Sequence, residues 1–333
     1  MGDLDILPEE ARDKARKEDQ PSWTQPMLAR LTKDRFSSED WIYERKLDGE
    51  RCLAFKKEKK VQLYSRNRKS LNASYPGLVD ALEKQEEDRF IIDGEVVAFE
   101  GGKTSFERLQ NRFQIQDPEK ARRSGIAVYY YVFDLLYTDG YDVTRVPLRY
   151  RKALLKGLLA YEDPLRFLPH RNEQGEQYYE EACAKGWEGV IAKKAGSPYV
   201  HKRSSDWLKF KCVREQELVI GGYTEPGGSR KGFGALLVGY YEDKKLCYAG
   251  KIGTGFDDRT LEKMKELLSE LERDDSPFAE KDTGEKGVHW VEPELVAQVG
   301  FTEWTGDNKL RHPRFLGLRR DKDPREVHRE AGG

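Results

Sequence analysis

The segment Tyr43-Glu44-Arg45-Lys46-Leu47-Asp48-Gly49-Glu50-Arg51 sets a lysine between two carboxylates, each two residues away. In an extended strand that spacing puts Glu44, Lys46 and Asp48 on one face. Asp-Gly is also a strong hairpin signal, so the lysine stands either at the edge of a cleft or on a solvated turn. A lysine amine attacks phosphorus only when unprotonated, which calls for nearby cations or desolvation. Arg51 or a bound metal would supply the charge, and Asp48 would orient the amine or take its proton.

Four further segments have residue types that suit the same phosphoryl chemistry. In Phe90-Ile91-Ile92-Asp93-Gly94-Glu95, alternation turns Asp93 and Glu95 the same way, toward a ribose hydroxyl, a metal or solvent. Glu188 enters the apolar run Gly189-Val190-Ile191-Ala192, where an unpaired carboxylate is costly and a metal or arginine partner is expected. Trp207-Leu208-Lys209-Phe210-Lys211 presents two cations on one face, suited to a triphosphate or simply solvated. Near the C-terminus, Arg319-Arg320-Asp321-Lys322 taken alone reads as a charged tail. The glycine-rich GGSRKGFG lacks the Lys-Ser/Thr of a P-loop and reads as a loop, whose Arg230 and Lys231 would meet a DNA backbone or water.

These residues need a scaffold, and 333 residues suit two domains. Residues 1–22 are charge-rich and read as a loose tail or short helix outside the fold. Residues 23–213 alternate short β-branched and aromatic runs with helical stretches such as YPGLVDALEKQEE and EQYYEEACAKG, a mixed α+β pattern with antiparallel pairs. Residues 214–333 read as three strands, the amphipathic helix DDRTLEKMKELLSEL and two more strands, an OB-type barrel. The bend between domains is expected at Val213 to Gln216. No apolar run approaches the roughly 18 residues needed to span a bilayer, and the N-terminus lacks signal-peptide segments. That reading is a soluble, cytoplasmic protein. The four cysteines show neither metal spacing nor a disulfide framework, so reduced thiols are expected. With a net charge of −1, any basic surface must be local.

Taken in order, KLDG, SRN (Ser65 to Asn67), DGE, FDLLY, EGVIAK, WLKFK and RRDK resemble the ordered motifs of the covalent nucleotidyltransferases: ATP-dependent DNA ligases, RNA ligases and capping enzymes. The chain is most similar to the ligase domain of bacterial ligase D, through PMLA, FERLQNR, VIGGYTEPGGSRKGFGALLVG, GKIGTGF and RHPRFLGLRRDKDPREV, nearly everything from Trp23 to Val327. The fold this implies is α+β, an adenylation (nucleotidyltransferase) domain of antiparallel sheets with helices, followed by a C-terminal OB-fold β-barrel.

The resemblance implies a role for each matching position. Lys46 would carry AMP, with Asp48 beside it, and Glu44 would meet the adenine edge. Arg51, Arg66 and Arg203 would serve ribose or phosphate, Glu95 the ribose or a metal, and Phe133 would stack on adenine. Glu188 would bind a divalent metal, Mg2+ or Mn2+, while Lys209 and Lys211 contact the α-phosphate. Arg319, Asp321 and Lys322 would orient the leaving pyrophosphate. The implied substrates are ATP and nicked or broken double-stranded DNA, in a bacterial-type, nucleoid-associated monomer acting in non-homologous end joining. A Ku-type end-binding protein and a polymerase or nuclease module are the implied partners. Too few residues precede Trp23 for the helical DNA-binding domain of larger ligases, so weak sealing of isolated nicks is expected. An RNA ligase, a guanylyltransferase using GTP and a non-catalytic OB-fold DNA-binding module are the competing readings.

Overall fold

The computed structural model describes residues 4–113, 115–212, 215–227, 231–280 and 282–330. The chain divides into two compact units, Met1–Cys212 and Val213–Gly333. The expected bend lies partly outside the described residues, as does Arg230. Among the described residues no helix is long and apolar enough to cross a membrane.

The first unit is built on two sheets. Its five-stranded sheet uses β1 (Leu28–Leu31), β2 (Trp41–Lys46), β7 (His170–Asn172), β8 (Gly189–Lys194) and β9 (Arg203–Lys211), in the order β7-β2-β8-β9-β1. The eight-stranded sheet centres on β3 (Glu50–Lys57), β4 (Lys60–Ser65), β5 (Arg89–Glu100) and β6 (Val128–Thr138), in the order β6-β5-β3-β4. The β-branched and aromatic runs expected as strands in this unit overlap these elements, with Glu188 and Cys212 falling just outside their ends. The reason is alternation: on β3, Cys52 and Ala54 enter one core while Leu53 and Phe55 enter another. The second of these cores gathers Leu53, Phe55, Ile91 and Phe133 from the large sheet with Trp207 of the small one.

Helices α1 (Pro76–Glu83), α2 (Phe106–Phe113), α3 (Leu148–Leu158) and α4 (Gly175–Ala184) flank the sheets. Two of them, α2 and α3, are not among the helical stretches expected from the sequence, although FERLQNR of α2 is among the matching motifs. On α3, Leu154, Leu155 and Leu158 face the core as expected of an amphipathic helix, but Arg151 and Lys152 are buried as well. The N-terminal residues expected to stand outside the fold pack on it. A short helix over Glu9–Arg12 buries Ala11, and Leu7 joins the same core.

The second unit holds β10 (Glu215–Thr224), β11 (Leu236–Glu242), β12 (Lys245–Ile252), β13 (Val288–Val291), β14 (Val296–Gly300) and β15 (Arg314–Leu318), with helix α5 (Asp258–Ser269) packing Leu261, Met264 and Leu268 into their core. β10 is shared: its first half pairs with β14 and its last three residues with β13, across an irregularity between Ile220 and Gly222. A bent strand serving several neighbours is what a small closed Greek-key barrel requires. The side chain of Asp257 caps α5 by accepting from the Thr260 N–H at 2.7 Å.

The expectation of reduced thiols is also overturned. Cys183, at the end of α4, and Cys212, just past β9, form a disulfide, with Cα atoms 5.1 Å apart. They are 29 residues apart. The spacing hid the pair, because the helix-to-β8-to-β9 path that brings them together leaves no sequence signature.

Candidate functional site

Pairing register assembles the site. Lys46, the last residue of β2, lies across from Gly189 of β8, which lies across from Lys211 of β9. The next row in is Glu44, Ile191 and Lys209. Residues directly opposite share a face, so Glu44, Lys46, Lys209 and Lys211 all present to one side of the small sheet. The close approach of β8 and β9 depends on glycine: a Cβ at Gly189 would lie 2.0 Å from the Phe210 carbonyl oxygen.

Lys46 Nζ is in direct contact with Glu188 Oε1, and both side chains are largely buried. Glu188 stands immediately before β8 rather than inside it. Its expected partner was a metal or an arginine; in the structure it is the lysine itself. Asp48 is anchored beyond the strand end, its Oδ2 accepting from the Phe106 N–H at 3.1 Å where α2 begins. Its own N–H donates to the Thr104 hydroxyl at 3.3 Å.

Glu44 is 1 % exposed and carries two cations. Lys152 Nζ donates to Oε1 at 2.5 Å, and Lys193 Nζ makes an ion pair with Oε2 at 2.7 Å. Burial opposes the charge on Glu44, but the two ammonium groups overcome it and hold the carboxyl below its ordinary range. Burial drives Lys193 the other way, down to about 8, with Lys152 adding to that and Glu44 resisting it. The Lys193 ammonium lies 4.1 Å from the Phe133 ring centre and 4.0 Å from that of Trp207.

The large sheet supplies the opposite group. Arg51 Nε and Nη2 grip both oxygens of Asp93 at 2.5 Å, and the guanidinium lies 4.7 Å from the Phe133 ring centre. Burial works against the Arg51 charge, but Asp93 outweighs it and raises the guanidinium above its ordinary range. The Tyr199 hydroxyl donates to the same carboxylate at 2.6 Å. Asp93 is fully buried and held by these partners, whereas Glu95, two residues along β5, is partly exposed. Phe133 is 7 % exposed, with two cations over its ring.

Two further expected residues of the first unit are Arg66 and Arg203. Arg66 follows β4 and is half-buried. Arg203 opens β9 ahead of a register shift between Ser204 and Leu208; it pairs with Leu28 of β1, and Lys209 pairs with Leu31, three residues farther along. Its Nη1 donates to the Ala29 carbonyl at 2.7 Å. Arg319, Asp321 and Lys322 belong to the second unit. There Arg319 clasps Asp321 at 2.9 and 2.8 Å, and Lys322 meets Glu217 at 3.1 Å. Burial opposes the Asp321 charge, but Arg319 and Lys322 keep its carboxyl below the ordinary range. Asp321 is therefore buried behind Arg319 rather than presented as a separate contact.

Among the described residues no three His, Cys, Asp or Glu side chains gather as a metal cage. Glu95 and Glu188 are hard oxygen donors, the donor type that suits Mg2+ or Mn2+. Two residues were missed by sequence reasoning. Lys193 lay inside a quoted motif without a role, and Lys152 sits on a basic helix face of the kind usually left to solvent.

The family description "ATP dependent DNA ligase domain" matches residues 26–211, and "ATP dependent DNA ligase C terminal region" matches residues 229–322. The multifunctional non-homologous end joining protein LigD of Pseudomonas aeruginosa is 41% identical over 324 residues, covering 94% of this chain and 37% of that protein. Its counterpart in Mycolicibacterium smegmatis is 35% identical over 322 residues, covering 95% of this chain and 41% of that protein. The chain thus spans about two-fifths of the length of these relatives. A solved structure of mycobacterial DNA ligase D complexed with ATP and MES superposes with a TM-score of 0.66 at 34% identity, covering 92% of this chain and 98% of that one.

Proposed function

The chain belongs to the ATP-dependent DNA ligase family, and on that premise we propose that it joins a 5′-phosphate to a 3′-hydroxyl in duplex DNA through an AMP carried on Lys46. The observation that carries the assignment of the nucleophile is the contact of Lys46 with Glu188 in one row with Lys211.

In the first step the Lys46 amine attacks the α-phosphorus of ATP, forming the P–N bond as the bond to pyrophosphate breaks. Glu188 holds the amine at the strand end, and Lys211 and Lys209 take up charge on the α-phosphate. A 5′-phosphate oxygen then displaces Lys46 from AMP, and the 3′-hydroxyl finally attacks the activated phosphate and expels AMP. Glu95 and Glu188 would hold Mg2+ or Mn2+, which supplies Lewis-acid neutralisation of phosphate charge when bound. Arg319, oriented by Asp321, and Lys322 serve the departure of pyrophosphate.

Glu44 sets the choice of base. A carboxylate has about four acceptor positions, so two lysines leave room for the 6-amino group of adenine. Guanine would present a carbonyl oxygen there and meet repulsion. Arg51, fixed by Asp93, and Phe133 form the opposite wall for adenine and ribose, and Arg66 and Arg203 serve ribose or phosphate. The end-joining role in the relatives' names supports double-strand-break repair, with a Ku-type end-binding protein and a polymerase or nuclease module as partners.

The test is incubation with labelled ATP or GTP, followed by nicked DNA or RNA. The expected result is label on wild-type protein from ATP alone, removed by pyrophosphate and passed to DNA. Label on a Lys46→Ala protein overturns the assignment. Label from GTP, or transfer to RNA in preference, favours a guanylyltransferase or an RNA ligase instead, and DNA binding without any label favours an OB-fold binding module.

A further inference from the structure

The Cys183–Cys212 bond takes no part in nucleotide chemistry, yet the 29-residue span it closes contains Glu188, Lys209 and Lys211. It joins the end of α4 to the residue that follows β9, and both cysteines are half-buried, within reach of small reagents. Beside it run weaker ties at the same place. The Cys212 N–H donates to the Glu188 carbonyl at 3.0 Å, and the Tyr179 hydroxyl of α4 donates to the Lys211 carbonyl at 3.2 Å. The ring of Tyr179 also meets Phe210 edge-on. The backbone of Glu188 and that of Lys211 are thus both fastened within one residue of the disulfide.

We propose that Cys183 and Cys212 form a reversible oxidation site that ties the Glu188 and Lys211 end of the sheet to α4 and so tightens the protein's use of ATP. The ATP part rests on the ligase reading above; the oxidation site itself does not. The two thiols give two protons and two electrons to a peroxide, the S–S bond forms, and the peroxide leaves as two waters. A dithiol restores the reduced form by taking on the oxidation. The other cysteines are poorer competitors: Cys52 is fully buried, and burial pushes its thiol well above the ordinary range. Cys247 lies in the second unit, where burial also raises its thiol.

The experiment uses the full chain, treated with hydrogen peroxide or with dithiothreitol and then alkylated under native and denaturing conditions. The oxidised protein should give a tryptic peptide linked through Cys183 and Cys212 and two fewer alkylated thiols than the reduced form. Reduction should lower Tm by about 5–10 °C, as expected for loss of a loop of this length. It should also raise the KM for ATP in lysyl-adenylate formation several-fold, with little change in kcat. Cys183→Ser should sit at the reduced values in both treatments; if it fails to fold, the two wild-type arms still decide. The proposal is overturned if peroxide leaves Cys183 and Cys212 open to alkylation in the folded protein. It is equally overturned if the bond forms while Tm and the ATP dependence stay unchanged. Should neither form adenylate, the ligase reading fails, and the oxidation site is still decided by the peptide and by Tm.

Discussion

Glu44 and Lys152 are 108 residues apart in the chain, and their side chains meet at 2.5 Å where each is 1 % exposed. Lys193 reaches the other carboxylate oxygen at 2.7 Å, so one buried anion holds two ammonium groups. Lys152 is further tied to the carbonyls of Leu168 at 3.1 Å and Phe133 at 3.4 Å. One helix thereby fixes both Glu44 on the small sheet and the backbone of Phe133 on the large one.

Glu44→Gln leaves two buried lysines without a counter-charge. Removing one partner of such a group costs about 3–5 kcal/mol, which urea unfolding would register. Because an amide can turn its NH2 toward a guanine carbonyl, label from GTP should rise relative to ATP. Lys152→Met keeps the pair of Glu44 with Lys193 and should cost less, with the preference for ATP retained. An unchanged unfolding curve for Glu44→Gln would count against the clamp.

Lys193 gives a pH signature. It titrates at about 8 in the fold, whereas an unfolded lysine titrates near ~10.4. Between these values the unfolded chain holds a proton that the folded one has lost, so stability rises with pH across that window. Below about 8 both states are protonated and the fold carries the full cost of the buried charge, on the order of 3 kcal/mol. Stability of wild type minus Lys193→Met, measured from pH 7 to 10, should climb through this window; a flat difference would contradict it. Glu44 works at the other end: its depressed carboxyl contributes stability above the unfolded value near ~4.3, lost as pH falls through its lower folded value.

These buried groups also mark where the sequence was readable and where it was not. Alternation on Asp93-Gly94-Glu95 and Trp207-Leu208-Lys209-Phe210-Lys211 was legible because strand period forces it, whereas the sorting of strands into two sheets was not. Alternation does not tell which of two carboxylates on one face is spent internally, and Asp93 proved to be the one held by Arg51 and Tyr199. Lys152 was illegible because a lysine on a helix is normally solvated, and only tertiary packing brings Glu44 to it. Cys183 and Cys212 failed for the same reason: their pairing depends on the order of strands, which no local pattern encodes.

Asp321→Asn should separate the steps of the reaction. It replaces one partner of the two hydrogen bonds that orient Arg319. If Arg319 serves pyrophosphate departure, single-turnover lysyl-adenylate formation should slow by about 10–100-fold. Sealing of a nick that already carries 5′-adenylate should change little. Equal losses in both assays would assign the pair a purely structural role.

Glu188→Gln keeps the size of the side chain while removing its charge. Adenylation should fall by about 100-fold or more, and the Mg2+ concentration giving half-maximal rate should rise, if the carboxylate both positions Lys46 and holds metal. A fall in rate with an unchanged Mg2+ requirement would leave only the positioning role.

Gly189→Ala tests whether strand approach sets the site. The residue adopts φ +149, and a Cβ would sit 2.0 Å from the Phe210 carbonyl oxygen and 3.0 Å from Lys211 Cα. Backbone cannot yield as a side-chain tip can, so β8 and β9 must separate in the row that holds Lys46 and Lys211. A stability loss of about 2 kcal/mol or more is expected from the clash, together with a drop in adenylation beyond what the unfolded fraction explains. Gly157→Ala on α3 is the control: nothing lies within 4 Å of its Cβ position, and alanine in a helix interior gains about 0.5–1 kcal/mol. Similar effects of the two substitutions on stability would mean that the close approach of β8 and β9 does not hold the site.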